Sequence, residues 1–224
     1  MGGQGRTRNN TTSRMTGYSA RGDVTGTSLG VYGTWLQNAA TGSGFYVDSW
    51  LQYGRFRNSV QGDGLQKERY RSHSWTGSAE IGYAVSLQQN DSRAIYLEPQ
   101  LQVIRSRYDA DRVTEANGTV VQSERADRTT TRVGARLYSR SLTLRQGQVH
   151  PFLAVNWWSG GNASAIAMNG ERLQRDLPRD IYEAKAGVQV SLSGGWRGWG
   201  QIGHQNGSQG YSDINAQIGV SLNW

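Results

Sequence analysis

Few residues in this sequence have types and spacing suited to chemistry, and most of those fail on closer reading. Residues 26–30 read Gly-Thr-Ser-Leu-Gly, the G-x-S-x-G pattern that presents a nucleophilic serine in many hydrolases. That elbow needs a strand turning sharply into a helix, whereas here the motif runs straight into an alternating strand pattern. Ser28 is therefore read as a strand residue among strand glycines. His73, His150 and His204 share no metal-ligand spacing. The chain contains no cysteine, which removes disulfide frameworks, Cys-ligated zinc and thiol catalysis. Arg21-Gly22-Asp23 is an RGD tripeptide near a strand start, where turn chemistry accounts for it without an adhesive role. The N-x-S/T triplets at Asn117, Asn162 and Asn206 mark surface loops at most. No acid, base and nucleophile converge, so no enzyme, cofactor or metal is expected.

One site-like feature remains. Asp48, Glu80, Glu98, Arg132, Arg136, Glu183 and Lys185 place full charges of mixed sign in mid-strand. Such a set suits a hydrated lumen in which carboxylates meet guanidiniums. Two roles are open: keeping a lumen wet, or pairing to brace a wall.

The elements carrying these charges are strands. Helical periodicity is poor, and period-two alternation recurs. Over 74–87 the odd positions include Trp75, Ala79, Ile81, Tyr83, Val85 and Leu87, while the even ones are small or polar. Strand geometry puts the two sets on opposite faces. The same pattern predicts strands over 24–37, 45–58, 93–107, 127–141, 149–158, 180–192 and 211–224, with a weaker, Gly-rich one over 196–206. Most of these nine are longer than the usual 5 to 6 residues and reach the roughly 9 to 11 that cross a bilayer. Pro99 falls inside one of them and predicts a weak point or a bulge. The connections 38–44, 88–92, 141–148 and 193–195 are short, whereas 59–73, 108–126 and 159–179 are long and polar. Short turns on one rim and long loops on the other are the asymmetry of outer-membrane barrels.

Composition agrees. The chain has 224 residues, 36% of them hydrophobic, with 8 Trp, 11 Tyr, 30 Gly and 3 Pro. The aromatic load excludes a disordered chain, and the absence of an 18-residue apolar run excludes a spanning helix. Net charge is +7, almost all from arginines scattered along the sequence in ones and twos. Arg105 and Arg107 fall near a strand end and Arg69 and Arg71 in a loop, which reads as a solvated polar surface rather than a nucleic-acid patch. Residues 2–10 have no apolar stretch of the kind found in an export signal. Alternation alone leaves open which face points inward. Mid-strand charges, long strands and aromatics near strand ends (Trp35, Phe45, Trp75, Trp157, Trp158 and Trp224) favour apolar-out, with a soluble β-sandwich as the alternative.

Several stretches in order, LGVYGTWLQ at 29–37, GFYVDSWLQY at 44–53, YLEPQLQV at 96–103, VHPFLAVNWW at 149–158, AIAMNGERL at 165–173 and QGYSDINAQIGVSLNW at 209–224, resemble the C-terminal translocator of AIDA-type autotransporters, the type V secretion proteins of Gram-negative bacteria. The resemblance implies an all-β, antiparallel transmembrane β-barrel in the cell outer membrane. The family barrel has twelve strands with a helix through its pore and moves an upstream passenger to the cell surface. It further implies contact with outer-membrane lipid and lipopolysaccharide, no nucleic-acid partner, and a C-terminal strand read by the barrel assembly machinery. That signal falls on Ala216, Ile218, Val220, Leu222 and Trp224. Nine strands match the last nine of the twelve. Residues 1–23 are then expected to be a remnant strand end and loop, and residues 24–224 a partial translocator domain, non-functional alone as a fragment. A porin-like channel and a soluble basic β-domain binding anionic polymers are the alternatives.

Overall fold

The computed structural model describes residues 1–12, 19–38, 43–90, 93–116, 118–123, 126–140, 142–144, 147–160, 164–168, 171–175 and 178–222. The wall is one curled antiparallel sheet. Its strands, in spatial order, are β1 (Gly2–Thr12), β2 (Ser19–Asn38), β3 (Ser43–Gly62), β4 (Glu68–Asn90), β5 (Arg93–Ala110), β8 (Ala126–Arg140), β10 (Gly147–Ser159), β13 (Asp180–Leu192), β14 (Trp196–Gly207) and β15 (Ser212–Leu222). Short β9 (Leu142–Leu144) pairs with β10 below β8. Every neighbour in this wall is next in the chain once the outer-rim strands described below are skipped. Pairing between successive strands therefore generates the wall.

The wall differs from the expectation in three places. Residues 2–12 form a strand of their own, paired with β2 from Gly2↔Leu29 to Thr12↔Ser19, so the path contains ten strands rather than nine. The segment 59–73 is mostly strand: β3 and β4 run on to Gly62 and from Glu68, paired as far as Val60↔Glu68. The long segments 108–126 and 159–179 carry β6 (Val113–Thr114), β7 (Val120–Ser123), β11 (Ser164–Met168) and β12 (Glu171–Arg175), a separate four-stranded sheet in the order β12-β11-β7-β6. Asn-Gly pairs at 117–118 and 169–170 are strong hairpin signals. Gly118 adopts φ +85°, which such a turn needs. Pro99 leaves the β4–β5 ladder interrupted between Gly82↔Gln100 and Val85↔Leu97 without a change of register. The bulge lies instead at Ser86–Gln88.

Register settles the faces. Leu29, Tyr53 and Trp75 lie on one row, and Ile81, Leu101, Val133, Trp157 and Tyr182 on another. Large apolar side chains on this face are exposed, up to 90% for Ile218, and among the described residues no large side chain is fully buried. A soluble sandwich would bury these residues between two sheets. The opposite face is the concave one. Glu80 on β4 and Arg132 on β8 are separated by all of β5, about 9.5 Å at the usual strand spacing, yet they touch at 2.6 Å. Curling of the sheet toward that face favours such contacts across an intervening strand.

The outward aromatics mark two heights. Tyr53 packs on Trp75 (centroids 4.7 Å apart) with Trp157 and Tyr182 toward the rim of long connections; Trp35, Phe45, Tyr83 and Trp196 lie toward the rim of short turns. Such belts sit at bilayer interfaces. Trp158 was expected among them but faces the concave side, where its indole N–H donates to Glu183 at 3.1 Å. Its neighbour Trp157 already occupies the outward position, and adjacent strand residues cannot share a face. Trp224 lies outside the described residues.

Placing a charge at mid-height separates the two faces. Leu101→Arg, on the outward face of β5, is expected to cost about 2–4 kcal/mol in lipid. Thr76→Arg, on the concave face among Ser and Gln neighbours, is expected to stay within about 1 kcal/mol. Urea midpoints of the chain folded into lipid vesicles measure both, and equal losses would contradict the outward assignment.

Candidate functional site

The concave face carries a connected run of polar side chains. Gln100 on β5 donates to Glu98 (2.7 Å) and to the Tyr46 hydroxyl on β3 (3.0 Å). Tyr46 donates to Glu80 on β4 at 2.6 Å, and Glu80 takes Arg132 of β8 at 2.6 Å. Arg132 also donates to Asn156 of β10 (3.2 Å), whose amide donates to Glu183 of β13 at 2.8 Å. Glu183 further accepts Gln205 of β14 (2.6 Å) and Trp158, and pairs with Lys185 at 3.0 Å. Gln205 in turn accepts the Tyr211 hydroxyl at 3.0 Å. The run thus crosses the wall from β3 to β14 without a break.

Period-two alternation explains how it forms. Each of these strands turns alternate residues inward, polar ones among them, and antiparallel register brings Glu80, Gln102 and Arg132 level. Asp48 stands directly opposite Glu80. Like charges across a strand pair repel, so Glu80 gains by turning toward Arg132, while Asp48 accepts Thr34 at 3.3 Å. Glu183 is only 4% exposed and is held by four donors, as a buried carboxylate requires.

All seven charges singled out in the sequence lie on this face, but they do not form one cluster. Glu80–Arg132 and Glu183–Lys185 are ion pairs. Glu98 and Arg136 are register partners, yet the Arg136 guanidinium lies over the Phe152 ring at 4.3 Å. There it borders a small packed group of Ala84, Ala94, Tyr96 and Tyr138, in which the two tyrosines stack at 5.3 Å. Tyr46, Gln100, Asn156, Trp158 and Gln205 complete the network but carry no formal charge, so a search for charges passes over them. Their signal was position: each has the parity opposite to the outward apolar residues of its own strand.

The other motifs are accounted for by the wall. Gly26 lies beneath the Phe56 ring, where a Cβ would collide, and the Ser28 hydroxyl accepts Gln52 at 3.4 Å. Arg21-Gly22-Asp23 is inside β2 rather than on a turn, and Asp23 is engaged by Arg8 (2.9 Å) and Arg6 (3.3 Å). Asp23 stands beyond the apolar band, and the Arg8 hydrogen bond holds its carboxyl below the ordinary carboxylate range. The histidines sit apart on β4, β10 and β14, and among the described residues no His, Asp or Glu group could hold a metal ion.

A curled antiparallel wall with a wet concave face and a girdled apolar exterior is the geometry of an outer-membrane barrel. Residues 1–203 match the model of the autotransporter beta-domain. The chain belongs to the autotransporter beta-domain family. This beta-domain is 35% identical to the uncharacterized Escherichia coli protein YuaQ over 98% of its own length, and 28% identical to the E. coli autotransporter adhesin AIDA-I over all of it. It spans only 17% and 18% of those two proteins. The crystal structure of the AIDA-I transport unit superposes with a TM-score of 0.88 at 28% identity, covering all of this chain and 74% of that one. The beta-domain is therefore an outer-membrane transmembrane β-barrel domain. Its outer edges at β1 and β15 have no strand partner among the described residues.

Breaking the central pair tests the network. Arg132→Met leaves Glu80 facing Tyr46 alone and is expected to cost about 3 kcal/mol. Tyr46→Phe removes one hydrogen bond to a charge and is expected to cost about 1.5 kcal/mol. Adding Glu80→Gln to Arg132→Met should recover part of the loss, and denaturant midpoints of the three variants decide.

Proposed function

We propose that this chain is the wall of an autotransporter translocator, through which an upstream passenger polypeptide reaches the cell surface. The observation carrying the proposal is the unbroken polar network from β3 to β14 on the face turned away from lipid. Asp48, Glu80, Glu98, Arg132, Arg136, Glu183 and Lys185 line that passage. Their charges keep it hydrated, and an extended chain finds little apolar surface to adhere to. No bond is made or broken by the wall; folding of the passenger outside draws it through.

Two further partners belong to the same reading. Outer-membrane lipid and lipopolysaccharide cover the apolar exterior. The barrel assembly machinery recognises β15, where Ala216, Ile218, Val220 and Leu222 form an exposed row along a strand with one free edge among the described residues. Strand addition to such an edge uses backbone hydrogen bonds for affinity and alternate side chains for specificity. Trp224 continues the row by its position in the sequence.

The test replaces the equivalent segment of the AIDA-I transport unit with this chain and follows a passenger epitope with protease on intact cells. Surface display is the expected result, and a barrel that inserts but displays nothing would overturn the proposal. Glu80→Gln with Glu183→Gln in the same chimera separates the two roles of the charges. Lost display with unchanged heat stability assigns them to passage; unchanged display with lowered heat stability assigns them to bracing.

A further inference from the structure

The arginines look scattered in the sequence, but the strands collect them. Arg55 and Arg57 on β3, Arg69 and Arg71 on β4, and Arg105 and Arg107 on β5 each come as i, i+2 pairs, so both members of each pair share a face. Register puts Arg55 opposite His73, Arg57 opposite Arg71, and Ser59 opposite Arg69. All six arginines have the same parity as Tyr53, Trp75 and Val103 of their own strands, so they point outward, away from the passage. Arg69 and Arg71, expected in a loop, are thereby strand residues.

We infer that this outward cluster binds the phosphate groups of a phosphorylated glycolipid in the outer leaflet. The inference rests on the outer-membrane reading above and adds a site to it. Three observations carry it.

The first is unbalanced charge. Arg57 and Arg71 are directly opposed, an arrangement that destabilises a sheet unless an anion lies between them. Among the described residues Arg55, Arg57, Arg69 and Arg71 have no ion-pair partner, whereas the flanking arginines do: Arg6 and Arg8 use Asp23, and Arg105 and Arg107 lie 3.6 and 3.7 Å from Asp127. The acids near the cluster are Asp109, opposite His73, and Asp111 at the rim, and neither pairs with these four.

The second is height. Arg55 and Arg57 follow Tyr53 at two and four residues, and His73 and Arg71 precede Trp75 by the same steps. Tyr53 and Trp75 are the packed, mutually tilted aromatics at the top of the apolar band. Two strand residues advance about 7 Å, less in height once the strand tilts. The guanidiniums therefore stand where acyl chains give way to headgroups. The rim is the one with the long connections, which faces the cell exterior. A passenger leaving the barrel emerges on the concave side, so lipid is what this face meets.

The third is shape. Thr25, Thr27, Arg55, Arg57, Arg71 and His73 border an open depression of about 600 Å³. Guanidinium forks match phosphate oxygens two at a time, and the threonine hydroxyls add donors.

The test uses the full chain in detergent and native mass spectrometry with bisphosphorylated lipid A as probe. Wild type is compared with a variant carrying Gln at Arg55, Arg57, Arg69 and Arg71, and with one carrying Lys at the same four positions. The expected result is an affinity about tenfold or more weaker in the Gln variant, largely retained in the Lys variant, and equally weak for wild type with dephosphorylated lipid A. Inorganic pyrophosphate is added as a competitor; full displacement at equal concentration would identify a free phosphate site and overturn the lipid assignment. Equal binding by wild type and the Gln variant would overturn this site while leaving lipid contact elsewhere intact. No binding of lipid A by wild type would overturn both. A Gln variant that does not fold leaves the Lys variant and dephosphorylated lipid A to decide.

Discussion

Hydrocarbon offers no hydrogen bonds, and the whole wall answers to that fact. Every backbone N–H and C=O within the bilayer must find a partner in the chain itself. An antiparallel sheet supplies those partners strand by strand, and its pleat then leaves one face for lipid and one for water. Once Leu101 or Val155 points out, Gln102 or Asn156 must point in. A slip of one residue would exchange the faces along an entire strand. Register in this chain is consequently held from both sides, by apolar rows outside and by hydrogen-bonded polar rows inside.

The concave network follows from the same constraint. Polar residues forced inward by alternation would be costly if each were left to find its own partner. Curling the sheet brings them within reach across intervening strands, as Gln100 reaches Tyr46 over β4 and Arg132 reaches Glu80 over β5. One set of contacts thus ties neighbouring strands together and satisfies the polar groups of the concave face. Among the described residues Asp48, Glu98 and Arg136 stand outside the ion pairs, and Arg136 sets its guanidinium over the face of Phe152. It does so beside the stacked tyrosines, although Glu98 is its register partner on β5.

Much of the fold was legible because period-two patterning is a local signal. The residues from Trp75 to Leu87 announce a half-apolar strand on their own. The faces of Glu80 and Glu183 follow from parity. What escaped was information held between strands. Strand ends were placed too early: Arg69, Arg71 and the residues near Ser59 are polar on both faces above the membrane, so alternation of hydrophobicity vanishes there while pairing continues to Val60↔Glu68. The outer four-stranded sheet leaves little trace for a related reason: its strands are only two to five residues long, too short for alternation to stand out. Trp158 was misplaced because nearness to a strand end was weighed above its parity with Asn156. Sequence proximity also concealed the arginine cluster, whose members are brought together by three strands.

The extension of β3, β4 and β5 beyond the apolar band gives the molecule an asymmetry that its alternation does not require. Near the short turns, the outward face ends in apolar and aromatic residues such as Trp35, Phe45 and Leu87. Near the long connections, the same face continues as arginine. A bilayer with identical leaflets would give no reason for the two rims to differ. An outer membrane does, because its outer leaflet presents phosphorylated sugar where its inner leaflet presents ordinary phospholipid. Arginine at that level stays charged at any physiological pH and uses forked donors on fixed strands, so little order is lost when an anion arrives. The long strands then do more than raise a collar above the membrane. They carry the positive charge to the depth at which the leaflet is most anionic, so the height of the barrel in the bilayer is set by charge at the outer rim as well as by the apolar band below it.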